Sequence, residues 1–222
     1  AKYDEETIEF TISGDRDTGL EKSIVNSLRR ILLSEIPCVA FRCDEGKPSD
    51  LQMEINKTSS HNEFLLHRVS LIPLFIDPFE YNKDYLFQLQ VKHNTDEPFL
   101  FVTSEMFEIY PLKENLEDVN LNILDINNYD LKKPLSKEEK KQIIRPFIYK
   151  GKEYYNLITE LKNTYSGDSY NQEISLYGSP SVSNGKEHSR WKCVSDAVYT
   201  FTKDNDMFKS VANEKADLKN IT

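Results

Sequence analysis

Apolar and polar positions alternate in short runs along much of this chain, and Pro, Gly, Asn and Asp separate the runs. Residues 7–12, TIEFTI, alternate with a period of two and predict a strand, followed by a turn at Ser13-Gly14-Asp15-Arg16-Asp17. The period then becomes helical. Thr18-x-x-Glu21 is a capping box, in which hydroxyl and carboxylate each satisfy an orphan amide, and the helix it opens is predicted to reach about Glu35. Pro37 ends it by disfavouring helical geometry at Ile36.

Residues 38–43, CVAFRC, predict a buried strand, and 51–55, LQMEI, alternate again. Ser60-x-x-Glu63 is a second capping box, opening a short helix through Phe64, Leu65, Val69 and Leu71 that Pro73 ends. Residues 85–91, YLFQLQV, give the clearest strand signal, and 99–103, FLFVT, are expected to pair with it. Between about 113 and 141 the composition shifts to Asn, Asp, Lys and Glu, a loop-rich excursion in which Ser136-x-x-Glu139 can cap a turn or two of helix before Pro146. Regular structure is predicted again at 154–161, 173–177 and 197–201, ahead of a polar tail. The fold class is α+β, with no internal repeat.

The first helix has two distinct sides. At about 100° per residue, Leu20, Ile24, Leu28 and Ile31 form a narrow apolar stripe, widened by Val25 and Leu32. The remaining arc holds Ser23, Asn26, Ser27, Arg30 and Ser34, with Arg29 at its edge. Small Ser and Asn side chains let another surface approach closely, whereas a merely solvated helix face more often carries Glu and Lys.

Composition narrows the function classes. The chain has 222 residues, 29% charged and 11% aromatic, which fits a folded protein with polar loops. Its formal net charge of −9 disfavours direct gripping of phosphate backbones, without excluding a local basic patch. No apolar run approaches the ~20 residues needed to span a bilayer, and the N-terminal AKYDEETIEF lacks a signal-peptide pattern, so an intracellular chain with no membrane partner is expected. Cys38, Cys43 and Cys193 form no C-x-x-C pair and are read as reduced, structural thiols.

Candidate chemistry is sparse. His61 and His67 are six residues apart, which places them on different helix faces, and no metal ligands or cofactors are assigned. Gly185-Lys186-Glu187-His188 offers acid–base groups without a partner that spacing identifies. There is no G-x-S-x-G, phosphate loop or dinucleotide fingerprint, so no catalytic residues are assigned. Phe147-Ile148-Tyr149-Lys150 and Tyr154-Tyr155 interleave aromatics with lysine, as a stacking platform for single strands would, but the reading adopted is of aromatics on half-buried strands.

Three blocks in order resemble the alpha-like subunits of multisubunit DNA-directed RNA polymerases, a family that includes the bacterial alpha subunit and the third-largest eukaryotic polymerase II subunit. Residues 24–37, IVNSLRRILLSEIP, resemble the family's first helix. Residues 56–60, NKTSS, with 62–73, NEFLLHRVSLIP, are similar to its Asn-Thr-Ser turn and following helix. Residues 185–191, GKEHSRW, resemble its Gly-Lys-Glu-His-Ala-Lys-Trp loop. With their flanking strands these blocks cover about half the chain, and 105–170 carry little resemblance.

The resemblance implies a dimerisation domain of strand, helix and strand, interrupted by an inserted, mostly β domain. Residues 1–46 would open the dimerisation domain, 47–204 would form the insert, and 205–222 would be a polar return segment lacking the family's closing strand and long helix. The insert lacks the cysteines for the zinc loop of the polymerase II relative. In this, and in His61-Asn62-Glu63-Phe64, it is most similar to the versions in large DNA viruses. The role implied is a non-catalytic assembly subunit in the nucleus or cytoplasm (a cytoplasmic viral factory or virion for a viral version). It would pair with a smaller alpha-like chain and dock the second-largest, beta-like subunit, without sequence-specific nucleic-acid contact. The implied interface comprises Leu20, Ile24, Asn26, Ser27, Leu28, Arg29, Arg30, Ile31 and Glu35, together with Lys186, Glu187, His188, Arg190 and Trp191, the last as an anchor. The rivals are an unrelated acidic β-rich adaptor and a metal-dependent or histidine-based enzyme.

Overall fold

A computed structural model describes residues 2–3, 7–14, 20–44, 46, 48–95, 97–113, 124–163 and 171–201. The chain divides into two units, Ala1–Leu33 with Val194–Thr222, and Ser34–Cys193. In the first unit the described elements are a two-residue pair, β1 (Lys2–Tyr3) with β2 (Ile8–Glu9), and the helix α1 (Lys22–Ser34), whose final residue falls in the second unit. The strand expected over 7–12 is thus short, and Ile8, Phe10 and Ile12 are exposed. Thr18 of the first capping box, the tail beyond 201 and parts of the Asn-rich excursion lie outside the described residues.

The second unit is built on an antiparallel sheet of four strands, ordered β4 (Leu51–Asn56), β11 (Glu173–Gly178), β5 (Tyr85–Lys92) and β7 (Glu108–Pro111). Two-stranded antiparallel pairs flank it. These are β3 (Pro37–Ala40) with β12 (Ser181–Asn184), β6 (Phe99–Thr103) with β10 (Leu157–Lys162), and a hairpin of β8 (Phe147–Tyr149) with β9 (Lys152–Tyr154). Helix α2 (Asn62–Ser70) places Leu65 and Val69, one turn apart, into the core. Around them pack Phe41, Leu51, Phe87, Leu89, Val102, Ile158, Ile174 and Leu176. Phe87 is wedged edge-on between Phe41 (5.2 Å) and Phe107 (6.2 Å), the offset geometry that aromatic quadrupoles favour. At the end of β11, Gly178 approaches the neighbouring strand so closely that an added Cβ would sit 2.5 Å from the Asp50 carbonyl oxygen.

Four sequence expectations are corrected. β6 does not pair with β5, because β11 and β7 occupy both edges of β5; a 3₁₀ turn at Ser104–Met106 sends the chain onward so that β7 takes that place. The capping box at Ser60 does not form: His61 is the N-cap of α2 and makes no side-chain cap bond. The Asn56 side-chain amide donates to the Ser60 carbonyl at 2.8 Å and to Asn62 Oδ1 at 2.7 Å, fixing this turn by another route. Residues 197–201 form no regular structure, and Val198 and Phe201 are exposed. The aromatics of β8 and β9 are exposed and not half-buried. The capping box at Ser136 does form, opening α3 (Lys137–Ile143) with both reciprocal bonds present.

Candidate subunit-interface site

Helix α1 is amphipathic yet has no buried residue. Ile24 is 58% exposed and Ile31 49%, while Leu20, Val25, Leu28 and Leu32 are half-buried. On the small-residue arc, the Ser27 hydroxyl donates back to the Ser23 carbonyl at 2.8 Å, one turn earlier. Arg29 is half-buried, and its Nε donates to Asn26 Oδ1 at 3.1 Å; Arg30 is exposed. The helix therefore presents a partly uncovered apolar stripe, open at Ile24 and Ile31, beside a polar arc on which Ser27 and Arg29 bond within the helix.

The 185–191 loop lies in the second unit and is organised differently. Glu187 accepts two bonds from the Arg42 guanidinium, at 2.9 and 3.1 Å, and a further bond from the Ser183 hydroxyl. Arg190 has a side chain only 1% exposed. It donates to Asp44 at 2.7 Å, to the Phe41 carbonyl and His188 Nδ1 at 3.1 Å each, and to Cys43 Sγ at 3.2 Å. Trp191 is fully buried, and its indole N–H donates to the Ser181 carbonyl at 3.2 Å. The Arg42 and Arg190 guanidinium carbons lie 5.3 and 5.4 Å from its ring centre.

These contacts correct the expected role of Trp191 as an anchor for a neighbour. Trp191 and Arg190 are committed to the chain's own packing and clamp β3 and the segment after it to β12. Burial and the Arg190 charge lower the His188 pKa, and its Nδ1 accepts from both the main-chain N–H and the guanidinium of Arg190. His188 is thus the N-cap of the following turn, with Nδ1 engaged as an acceptor by Arg190. Lys186 and Glu35 are brought together as an exposed ion pair at 2.5 Å. Sequence reading missed Arg42 and Asp44 as partners of this loop. Their signal was charge inside an apolar run, since Phe41-Arg42-Cys43-Asp44 needs buried partners wherever its neighbours form a core.

Among the described residues, no group of three or more His, Cys, Asp or Glu side chains is arranged to hold a metal ion. His61 and Glu63 line a surface depression with Asn56, Ser60 and Asn62. The Cys38 thiol is pushed up to about 11 by burial and by neighbouring Cys193, the opposite of what a nucleophile needs. No described helix is long and apolar enough to cross a membrane.

No protein-family model matches the chain. It is 37% identical over 90 residues to DNA-directed RNA polymerases I and III subunit rpac1 of Dictyostelium discoideum, covering 35% of this chain and 24% of that protein. It is 38% identical over 83 residues to the corresponding subunit RPAC1 of Mus musculus, covering 36% and 20%. It is also 42% identical over 57 residues to DNA-directed RNA polymerase subunit Rpo3 of Pyrobaculum aerophilum, covering 25% and 19%. The chain thus spans no more than about a quarter of the curated relatives it matches. Across roughly a third of its length, its homologues are the alpha-like subunits of DNA-directed RNA polymerases.

Proposed function

We propose that this chain is a non-catalytic assembly subunit of a DNA-directed RNA polymerase, acting inside the cell in nucleus or cytoplasm. One observation carries the reading: a 13-residue amphipathic helix that resembles the family's first helix in sequence and has no buried side chain. An apolar stripe left open in a single chain marks an obligate partner surface. Leu20, Ile24, Leu28 and Ile31 take the matching helix of a smaller alpha-like chain. Asn26, Ser27, Arg29 and Arg30 face the second-largest, beta-like subunit; in the second unit, Glu35 and its ion-pair partner Lys186 form a separate proposed contact. Arginine suits that contact because its planar fork holds carboxylates or carbonyls in pairs. Of the 185–191 loop, Lys186 remains as a contact, while Glu187, His188, Arg190 and Trp191 set the loop's shape. The matching domain reading is a split one, in which residues 1–46 open a dimerisation domain and 47–204 form the insert; the compact units divide the chain at other positions, 34 and 193.

Co-expression with candidate partner subunits tests the proposal. Arg30→Glu changes an exposed position, so stability stays within about ±0.5 kcal/mol, while recovery of the beta-like subunit falls. Ile24→Asp removes the alpha-like partner instead. Since Leu28 is only half-buried in the single chain, Leu28→Ala costs less there than the ~2–5 kcal/mol of a fully buried leucine, and more once the partner is bound. Recovery of both partners unchanged in Arg30→Glu and Ile24→Asp sinks the proposal and favours an unrelated acidic adaptor.

A further inference from the structure

The hairpin β8–β9 has all six of its strand residues exposed, among them Phe147 (56%), Tyr149 (58%) and Tyr154 (42%). Lys150 and Gly151 close it with φ of 51° and 75°, the left-handed pair that a tight two-residue turn requires. The register pairs Phe147 with Tyr154, Ile148 with Glu153 and Tyr149 with Lys152. Because side chains alternate along a strand, one face carries Phe147, Tyr149, Lys152 and Tyr154, and the other carries Ile148 and Glu153. Glu153 is tied to Lys141 of α3 at 2.6 Å. The aromatic face is the opposite one.

That face is preorganised. The Phe147 and Tyr154 rings are stacked at 5.5 Å with 19° between their planes, and the Lys150 ammonium sits 5.2 Å from the centre of the Tyr149 ring. Three flat aromatic surfaces and two ammonium groups share it, with no carboxylate, and among the described residues neither Lys150 nor Lys152 is in an ion pair. The surroundings depart from the chain's average: residues 137–154 hold six Lys and Arg against three Glu, in a chain of net charge −9. A two-stranded hairpin that buries nothing is marginal in water, so exposed rings here are a cost unless something covers them.

We propose that the aromatic face of this hairpin binds single-stranded nucleic acid without regard to sequence, the rings stacking on bases and Lys150 and Lys152 meeting phosphates. Every base has a π face, so rings beside lysines recognise a strand of any sequence. A protein partner fits less well. Lysine is depleted at the centres of protein interfaces, and the hairpin's one aliphatic side chain, Ile148, lies on the other face. At three residues per strand the platform is ~10 Å long and takes only a few bases, so it serves to hold a strand and not to read it. The inference stands independently of the subunit contacts proposed for α1.

Fluorescence anisotropy of labelled twelve-nucleotide oligothymidylate and oligouridylate, titrated with the full chain at low salt, tests it. Phe147→Leu with Tyr149→Leu keeps apolar bulk and removes the π faces, and should weaken binding roughly ten- to a hundred-fold. Lys150→Ala with Lys152→Ala should lower the slope of log affinity against log salt by about 1.4, two phosphate contacts at ~0.7 each. These positions are exposed, so thermal midpoints stay unchanged and report that each variant is folded. No anisotropy change with the unmodified chain overturns the proposal. So does equal binding by the leucine variant, or loss of a polymerase subunit from that variant with oligonucleotide affinity intact, which would make the face a protein-docking surface.

Discussion

Replacing Arg190 with methionine isolates what the buried guanidinium contributes. Methionine keeps apolar length but deletes bonds to Asp44, the Phe41 carbonyl, Cys43 and His188. Breaking a buried ion pair from one side costs ~3–5 kcal/mol, but Asp44 is 23% exposed and rehydrates in part, so its share falls to about 1–2 kcal/mol. Phe41 is a core residue at 1% exposure, so its carbonyl is left wanting a donor at ~1–3 kcal/mol. Loss of the cation over Trp191 adds about 0.5–1 kcal/mol. The expected destabilisation is about 3–5 kcal/mol. By comparison, Arg42→Met breaks a pair exposed by 24% and 23% and should cost about 1–2 kcal/mol. Urea unfolding of the full chain followed by tryptophan emission is the assay, because Trp191 is the only tryptophan and lies between these two guanidiniums. Adding Asp44→Asn to Arg190→Met should restore about 1 kcal/mol. Equal losses for the two arginine variants, or under 1 kcal/mol for Arg190→Met, would refute the claim that this loop is an internal clamp.

Asp50 is 7% exposed, and burial raises its pKa above the usual carboxylate range although the Arg42 N–H and the Ser181 hydroxyl both donate to it. The folded chain therefore holds this proton more tightly than the unfolded chain does. Its contribution to stability is full below the unfolded value near ~3.9 and is lost as pH rises through the raised folded value. Asp50→Asn keeps an acceptor for both donors and should flatten that part of the pH–stability curve in thermal melts, whereas Asp50→Ala should cost ~1–3 kcal/mol per orphaned donor. An Asp50→Asn curve that retains the wild-type slope contradicts this account. Gly178→Ala places a Cβ 2.5 Å from a backbone oxygen and should destabilise by ~1–3 kcal/mol in urea unfolding; a neutral result would mean that β4 and β11 separate at little cost.

Local signals in the sequence carried much of the secondary structure. β5 and α2 follow from period and Pro placement, and the Ser136 box forms with Ser136 at the N-cap and Glu139 at the third helical position. The Ser60 box has the same spacing and fails because α2 starts one residue later, with His61 at the N-cap. Strand partners were not legible, because β6 next to β5 in sequence is a local inference, whereas β5 pairs with β11 across more than 80 residues. Exposure was not legible for Phe147 or Tyr149 either, since an aromatic run reads alike on a covered strand and a bare one. The turn signal at Lys150-Gly151 was visible in the sequence, though it could not say which surface the hairpin faces. Of the candidate site, the apolar stripe on α1 follows from helical periodicity, whereas the exposure of Ile24 and Ile31 does not. The inward fate of Arg190 and Trp191 depends on Phe41 and Asp44, almost 150 positions away.

The clamp around Trp191 has a consequence for biosynthesis. The Arg42–Glu187 contact joins residues 145 positions apart, and among the described residues β3 has its strand partner only in β12. Loop-closure entropy rises only slowly with length, so the distance is tolerable at equilibrium. In time it is absolute. On a ribosome Val39 and Ala40 emerge long before β12, so the strand that starts the second unit must wait for nearly the whole remaining length of that unit before its edge is paired.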